Sequence, residues 1–336
     1  MEKKLGFAYV KAPYRYVAKY SEGRWHEGYL TTEENLVVNE SAAIFQYAQQ
    51  CFEGLKARRT RNGDITIFRP DMNAERMYIS AERICMPPYP KEDFLKGVMQ
   101  AVEANKELIP SYESGGSLYI RPFMVGTGTV LGVLPAAEYE FRIYVSPVGP
   151  YFQGGKNAVD LRVCDVDRAA PNGTGHVKAG LNYAMSLQTT MEAHRLGYDE
   201  NLYLDAATRT YIEETGGANI LFVTKAGELV TPQSGSILPS ITKRSLLEIA
   251  ERYLGIKATE RPVRLSELGD FTECGLCGTA AVISPVRSID DHGTKYTFFG
   301  GEYQEDSLCG ALRRKLTAIQ NGEEEGPEGW VVRIKG

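Results

Sequence analysis

The chain has 336 residues, of which 43% are hydrophobic and 24% are charged, and its formal net charge is −5. This length predicts two domains, and the composition is that of an ordinary globular protein. A small net charge without runs of one sign argues against nucleic acid or an anionic membrane as the main partner. No signal-peptide segment and no run of membrane-spanning length is found, so a cytoplasmic location is expected.

Asn62-Gly63 separates two strand-like runs in the first half of the chain. This dipeptide is the strongest short hairpin signal, because both residues tolerate a positive φ. The other elements predicted in this half are helices from Asp71 to about Cys85 and from Lys91 to Leu108, and half-buried strands over 118–122 and 140–145.

Residues 146–156 carry two prolines and three glycines without any period. Such a segment is typical of a domain boundary. We therefore expect an amino-terminal α/β domain over 1–147, a linker over 148–158 and a carboxyl-terminal domain over 159–336. Gly126-Thr127-Gly128 lacks the third glycine of a dinucleotide fingerprint, which argues against a Rossmann domain.

The second half of the chain again alternates strands and helices. Ala184, Leu187, Met191 and His194 share one face of a predicted helix, and Gly197 is a plausible end for it. The remaining predictions are strands over 159–163, 201–205, 210–214, 220–223 and 228–231, a helix that ends near Leu254, and a tail at Trp330-Val331-Val332 that packs back on the body.

Six cysteines are scattered through the chain, and most are expected to be reduced and packed. Cys274 and Cys277 form a single C-x-x-C, which is open to use as a thiol switch or as half of a zinc site. The four histidines show no ligand spacing, so two reduced thiols and no metal site are predicted.

A single lysine, Lys178, stands among three glycines in the segment 173–183, and Tyr183 follows five residues later. Glycine lets the backbone approach a neighbour or a ligand closely. A lysine held away from solvent loses its proton more easily and then acts as an amine nucleophile. These are the needs of the amine that forms a Schiff base with pyridoxal phosphate. The alternative is a surface lysine in a glycine-rich loop.

That cofactor needs an amine for its aldehyde, a cationic or amide-rich cup for its phosphate, and a carboxylate for its ring nitrogen. Lys178 is the candidate amine, and Glu214, which precedes Thr215-Gly216-Gly217, is the candidate carboxylate. Capping is the alternative role for Glu214, and Glu213 beside it is a competing candidate. The candidates for the phosphate cup are Arg69, the amides around Gly216 and Gly217, Ile241, Thr242 and Thr279.

Several motifs then occur in one order along nearly the whole chain. They are the runs 47–57, 68–70, 118–122, 178–183, 214–219, 237–242 and 278–280. With them the chain resembles the branched-chain-amino-acid aminotransferases of the class IV, or fold-type IV, pyridoxal-phosphate family. The resemblance implies a D-amino-acid-aminotransferase-like fold of two α/β domains, the amino-terminal one smaller, a bound pyridoxal 5'-phosphate and a homodimer. The implied reaction moves an amino group from leucine, isoleucine or valine to 2-oxoglutarate.

The resemblance also implies roles for particular residues. Lys178 matches the Schiff-base lysine, which also carries the proton, and Glu214 matches the carboxylate at the ring nitrogen. Tyr183 matches the partner of the ring hydroxyl. The other cofactor positions are Arg69, Gly216, Ile241, Thr242 and Thr279, and the substrate positions are Tyr47, Phe52, Tyr119, Arg121 and Ala280.

Two departures from the family pattern stand out. Leu221 precedes Phe222 where an aromatic residue is usual, which predicts a local strand adjustment, and Ala281 and Ser284 replace a redox cysteine pair found in some animal members. Four alternatives remain open: a D-amino-acid aminotransferase, an aminodeoxychorismate lyase, a Schiff-base lyase without cofactor, and a non-catalytic metabolite-binding protein.

Overall fold

The computed structural model describes residues 5–149 and 157–335. These residues form two compact units. The first contains the described residues up to 149, the segment Val177–Gly180 and the described residues from Ile319 onward. The second contains the described residues from 157 to His176, followed by Leu181–Ala318. Within the described part of the chain, no helix has the length and apolar composition needed to cross a membrane.

Strands make up most of the regular structure, and six α-helices are placed between them in the described residues. In chain order, the strands are β1 (Arg15–Ser21), β2 (Arg24–Trp25), β3 (Tyr29–Thr31), β4 (Gln50–Phe52), β5 (Leu55–Arg59), β6 (Ile65–Phe68), β7 (Ser117–Gly126), β8 (Tyr139–Val148), β9 (Val159–Val163), β10 (Glu200–Leu204), β11 (Tyr211–Thr215), β12 (Asn219–Thr224), β13 (Leu229–Pro232), β14 (Ala258–Arg261), β15 (Val263–Arg264), β16 (Phe271–Gly278), β17 (Val282–Asp291), β18 (Thr294–Thr297) and β19 (Val331–Ile334). The helices are α1 (Ala43–Tyr47), α2 (Pro70–Arg83), α3 (Lys91–Ala104), α4 (Gly180–Arg195), α5 (Ile241–Leu254) and α6 (Leu308–Gln320).

The first unit is built on one antiparallel sheet with the order β19-β6-β5-β7-β8-β1-β2, in which β3 also pairs with β1 and β4 with β7. Side chains alternate across β7: Leu118, Ile120 and Met124 lie in the core, whereas Tyr119 and Arg121 belong to the opposite face. The alternation therefore frees one face of this sheet for polar and aromatic side chains.

Helix α3 covers the core face of this sheet. Its residues Phe94, Val98 and Val102 are buried at helical spacing, and burial of each such side chain contributes about 1.5–3 kcal/mol. The predicted helix from Lys91 to Leu108 is shorter in the structure, because the α-helix ends at Ala104 and a 3₁₀ turn covers Lys106–Leu108. Tight turns of this kind commonly end a helix.

The predicted hairpin at Asn62-Gly63 joins β5 to β6. Gly63 has a φ of +91°, which a residue with a side chain rarely adopts. Asn62 does not take a positive φ, and the N–H of Thr60 donates to the carbonyl of Asp64 at 2.8 Å. The connection is thus a longer loop than the two-residue turn that Asn-Gly usually indicates.

The two units differ from the predicted domain bounds. The sequence places all of 159–336 in the second domain, whereas Val177–Gly180 and the last described residues belong to the first unit. Strand pairing explains the second difference, because β19 extends the first sheet by pairing with β6. The same pairing places the tail, as expected, back on the body of the protein.

The predicted boundary region also starts later than expected. Pro147 and Val148 belong to β8, and Pro147 pairs with Leu118 of β7. A proline fits a strand wherever its missing N–H has no bond to make. Of the predicted linker over 148–158, residues 150–156 lie outside the described residues.

The second unit contains a mixed sheet with the order β14-β13-β12-β16-β17-β9-β10-β11-β15, and β18 pairs with β17. Strand β9 is parallel to both β10 and β17, and the other neighbours are antiparallel except for β13 and β14. The pairing of β12 with β16 is regular from Asn219 to Val223 and shifts at Thr224. The strand adjustment expected at Leu221 is therefore absent.

Helix α4 has the predicted apolar face, but that face is exposed. Leu187 is 65% exposed and Met191 is 68% exposed. The buried side carries small polar residues instead, and Thr189 pairs with the buried hydroxyl of Tyr203 at 2.7 Å. The buried side of the helix is thus filled by hydrogen-bonded polar groups, which apolar periodicity does not reveal.

The thiols of the protein provide a direct test of this packing. Cys85 is exposed, whereas the other five cysteines are buried. Burial raises the pKa of Cys277 to about 12 and the pKa of Cys274 well above its usual range. Because the thiolate is the reacting form, we expect a chromogenic disulfide reagent to modify only Cys85 rapidly in the native protein.

The variant Cys85→Ser should remove the rapid phase, and Cys277→Ser should leave it intact. Rapid release of two further thiols that mapped to Cys274 and Cys277 would contradict the burial of these two side chains.

Candidate active site

Lys178 lies between a series of turns and the start of α4, and its backbone is held from two sides. Its backbone N–H donates to Oγ of Ser80 on α2 at 3.0 Å, and its carbonyl accepts from the N–H of Phe52 on β4 at 3.0 Å. The next residue, Ala179, forms a bridge with Cys51. The backbone of the lysine is thus fixed by two elements that lie far from it in the sequence.

The side chain of Lys178 lies beside a cluster of aromatic and cationic groups. Its Nζ is 4.8 Å from the ring centre of Phe52, and the guanidinium of Arg121 lies over the same ring at 4.8 Å. Arg121 also donates to the hydroxyl of Tyr119 at 3.1 Å. Cations near an aromatic face are attracted to the ring. The first unit therefore brings together four of the predicted residues, with positive charge suited to a carboxylate.

Gly54 makes this cluster possible. A Cβ at this position would overlap the hydroxyl of Tyr119. The glycine after Phe52 and Glu53 is therefore required for close approach of the ring.

Glu53 is fully buried and was not predicted as a site residue. Its carboxylate accepts two bonds from Arg76, at 2.7 and 2.8 Å, and one from Asn73 at 2.7 Å. Paired donors of this kind are what a buried carboxylate needs to remain charged. Since Arg76 and Asn73 lie on α2 with Ser80, the pair ties the helix to the Phe52 segment.

Two predicted residues of the first unit lie elsewhere on it. Arg69 precedes α2, and its guanidinium lies over the ring of Trp330 at 4.4 Å. Tyr47 ends α1 and donates its hydroxyl to the carbonyl of Leu131 at 2.7 Å. The side chain of Arg69 is thus in contact with an aromatic ring.

Glu214 on β11 is buried in the second unit, with 3% of its surface exposed. Its carboxylate accepts from Arg168 and from the N–H of Leu238, each at 2.8 Å, and from Asn219 at 2.5 Å. Burial raises the pKa of Glu214, and the guanidinium of Arg168 acts in the opposite direction. The carboxylate is thus held in one place by a set of directed donors.

Glu213 and Glu214 point to opposite faces of β11, as neighbours in a strand do. Glu213 accepts a hydrogen bond from Ser234 at 2.6 Å, and burial raises its pKa as well. Glu214 forms its ion pair with an arginine instead. The two neighbouring glutamates therefore have different partners, a serine hydroxyl for Glu213 and a buried arginine for Glu214.

Arg168 is the second residue that the sequence analysis missed. Besides Glu214 it donates to the carbonyls of Gly175 and Ser236. A Cβ at Gly175 would overlap the carbonyl oxygen of Ser236. Gly175, in the lysine segment, is thus needed for the packing around Arg168. The glycine was the one feature of the sequence that indicated close packing at this point.

The other predicted cofactor residues of the second unit lie at turns and helix starts. Ile241 and Thr242 open α5, and Ser240 caps that helix by accepting from the N–H of Lys243 at 3.1 Å. Exposed N–H groups at such a start bind anions. The rest are Gly216 in the turn between β11 and β12, Thr279 and Ala280 in the turn between β16 and β17, and Tyr183 in the first turn of α4.

The chemistry of these groups fits a ligand with an aldehyde, a phosphate and a basic ring nitrogen. An amine and a guanidinium lie close together in the first unit. The second unit, described by itself, contains a buried carboxylate and a helix start. Oδ1 of Asn219, beside Glu214, is buried without a hydrogen-bond partner among the described residues. Such an acceptor is expected beside a ligand that donates a hydrogen bond.

Comparison with known proteins decides the family. The family model for class IV aminotransferases matches residues 50–289. The chain belongs to the class IV aminotransferase family. This match spans Phe52, Arg69, Lys178, Glu214 and Thr279.

Individual class IV aminotransferases are similar over nearly their whole length. The chain is 46% identical to a branched-chain-amino-acid aminotransferase of Haemophilus influenzae, over 98% of each chain. Its fold is similar to that of the branched-chain amino acid aminotransferase from Escherichia coli, with a TM-score of 0.78 and 27% identity. The match covers 96% of this chain and 99% of the other chain. The branched-chain amino acid aminotransferase of Thermoproteus uzoniensis, solved with norvaline, has a TM-score of 0.78, 26% identity and coverage of 94% and 98%. A further branched-chain amino acid aminotransferase, solved with pyridoxamine 5'-phosphate, has a TM-score of 0.79, 26% identity and coverage of 96% and 99%.

The pair Glu53–Arg76 predicts a large stability effect. Arg76→Met leaves a buried carboxylate without its cation, so the free energy of unfolding should fall by about 3–5 kcal/mol. Urea unfolding of the purified protein measures this loss. The control Glu75→Gln changes another residue of α2. It breaks an exposed ion pair with Lys91 of α3 and should leave the unfolding midpoint nearly unchanged. Equal midpoints for the two variants would mean that the buried pair does not hold α2 in place.

Proposed function

We propose that this chain is a branched-chain-amino-acid transaminase that uses pyridoxal 5'-phosphate. It moves the amino group of L-leucine, L-isoleucine or L-valine to 2-oxoglutarate, and the reverse reaction uses the same site. The observation that carries the proposal is the fixed Lys178 beside Phe52, Tyr119 and Arg121. The chain is also similar to branched-chain-amino-acid aminotransferases, one of them solved with pyridoxamine 5'-phosphate. This similarity supports the substrate class and the cofactor.

Each predicted residue has a role in this proposal. Lys178 binds the cofactor and carries the proton, and Glu214 holds the proton of the ring nitrogen. Tyr183 contacts the ring hydroxyl. The phosphate is held by Arg69, Gly216, Ile241, Thr242 and Thr279, and the substrate by Tyr47, Phe52, Tyr119, Arg121 and Ala280.

When bound, pyridoxal phosphate supplies an aldehyde that takes up the amino group and a ring that withdraws electrons from the substrate carbon. The amine of Lys178 then removes the proton from Cα and delivers it during the transfer. Glu214, held in one place by Arg168 and Asn219, would pair with the ring nitrogen and favour its protonated form. Because the same residues serve two half-reactions in turn, the kinetics are of the ping-pong type.

The substrate cluster has to accept two kinds of side chain. Aliphatic burial contributes about 0.8 kcal/mol per methylene, which favours leucine, isoleucine and valine over alanine. The γ-carboxylate of glutamate is costly to bury without a partner. Phe52 and Tyr119 supply apolar surface, and Arg121 supplies a cation beside it. One cluster can thus accept both substrates.

The proposal includes a cytoplasmic homodimer. Leu187 and Met191 of α4 are exposed, and exposed apolar patches commonly mark interfaces. This exposure supports the proposal that a second copy of the chain covers them.

The covalent role of Lys178 can be tested directly. After borohydride reduction of the enzyme with its cofactor, peptide mapping should find the pyridoxyl group on Lys178. The variant Lys178→Ala should lose transamination by roughly a thousandfold or more, since it removes the proton carrier. Lys225→Ala, an exposed control, should behave as wild type. A label on Lys225 or Lys243 would overturn the assignment.

The two buried glutamates should differ in their effect on turnover. Glu214→Gln should lower kcat roughly a hundredfold or more, the size expected for loss of one preorganised charged partner. Glu213→Gln keeps an acceptor for Ser234 and should remain near wild type. Steady-state kinetics of both variants decide the matter, and an exchange of the two results would assign the role to Glu213.

Arg121→Met should impair the two half-reactions unequally. Loss of the cation removes a partner for the γ-carboxylate of glutamate but retains apolar surface for leucine. Single-turnover absorbance measurements should therefore show a larger loss with glutamate than with leucine. Equal losses would mean that Arg121 shapes the wall of the site without selecting a substrate.

A further inference from the structure

Arg69 has an unusual backbone at the junction of β6 and α2. Its φ is 44° and its ψ is 49°, which is the left-handed region. This conformation is unfavourable for a residue with a side chain, and the following Pro70 restricts it further. Such a conformation persists only where the surroundings enforce it, and it is found most often at functional sites. Some contact must therefore hold Arg69 in place.

The residue before the final strand of the chain provides that contact. The N–H of Arg69 donates to the carbonyl of Trp330 at 2.7 Å, and the guanidinium lies over the Trp330 ring at 4.4 Å. The ring is also packed edge-on against Phe68, with centres 5.5 Å apart. Trp330 is only 5% exposed, and β19 begins directly after it. Both the backbone and the side chain of Arg69 thus contact Trp330.

A guanidinium stacked on a ring retains the N–H donors in its own plane. Two of those N–H groups can bind two oxygens of one phosphate group at the same time. A lysine ammonium on its flexible chain does this less well. We infer that Trp330 is a positioning residue that holds the guanidinium of Arg69 for the phosphate of the cofactor. This inference rests on the proposed role of Arg69 and extends it to a residue 261 positions later in the chain.

The competing explanation is that Trp330 only stabilises the edge of the first sheet by packing, without acting on Arg69. In that case its loss weakens the whole unit and every ligand equally. If it positions Arg69, its loss weakens only ligands that carry a phosphate. Pyridoxal and pyridoxal 5'-phosphate differ in that group alone, so the ratio of their affinities separates the two explanations.

The experiment uses the full chain after removal of cofactor. Equilibrium dialysis measures the Kd of each compound for wild type, Arg69→Ala, Trp330→Leu and Trp330→Phe. Trp330→Leu should weaken pyridoxal 5'-phosphate about three- to thirtyfold, the range of a cation–π contact, and leave pyridoxal unchanged. Trp330→Phe keeps a ring that attracts cations less strongly, so it should show a smaller loss in the same direction.

Val332→Ala is the matched control, because it loosens β19 without removing the ring beneath Arg69. It should change neither affinity, and the melting temperature of each protein without cofactor shows whether the variant is folded. Equal losses for the two compounds in Trp330→Leu would overturn the inference. If Trp330→Leu fails to fold, an unchanged affinity ratio in Trp330→Phe would overturn it.

Arg69→Ala separates this inference from the proposed function. It should lower the preference for the phosphorylated compound at least as much as Trp330→Leu does. A preference lost in Arg69→Ala but kept in both Trp330 variants would refute the role of Trp330 alone. A preference kept in Arg69→Ala would refute the proposed phosphate role of Arg69, and the role of Trp330 with it.

Discussion

Two backbone hydrogen bonds fix Lys178, one from Phe52 and one to Ser80. If Lys178 has the proposed catalytic role, these bonds hold the attachment point of its side chain in a fixed geometry, as catalysis requires. Helix α2 has a buried polar side. On this side Arg76 binds Glu53, and Ser80 binds the backbone of Lys178. The polar side of the helix therefore holds both the Glu53 segment and the Lys178 segment.

The same electrostatic problem is solved differently in the two units. A buried carboxylate is stable only with a partner, and removal of that partner is costly. Glu53 has both oxygens bonded to Arg76, so its charge is used to hold structure. Glu214 has a buried arginine too, but its other neighbour, Asn219, has an amide oxygen without a partner among the described residues. The first carboxylate is satisfied by the chain itself, and the second lies beside an unsatisfied acceptor.

Ordered motifs and local signals predicted much of this molecule. The strand over 159–163 and the end of α5 at Leu254 agree with the predicted bounds, because alternation and helical period are local properties. Long-range pairing was not predictable in that way. Nothing near Glu53 in the sequence indicates Arg76, and nothing near Lys178 indicates that its segment belongs with β4. Helix α4 misled for a related reason, since hydrogen-bonded Thr189 replaces an apolar residue on its buried side.

The position of β19 has a consequence for synthesis of the chain. Strand β6 has β5 on one side and β19 on the other, so one of its edges remains open until β19 has been made. At ordinary rates of translation this delay is on the order of ten seconds or more. Open edges invite pairing with other chains during that time. The newly made amino-terminal half thus carries an unpaired strand edge until β19 has been synthesised.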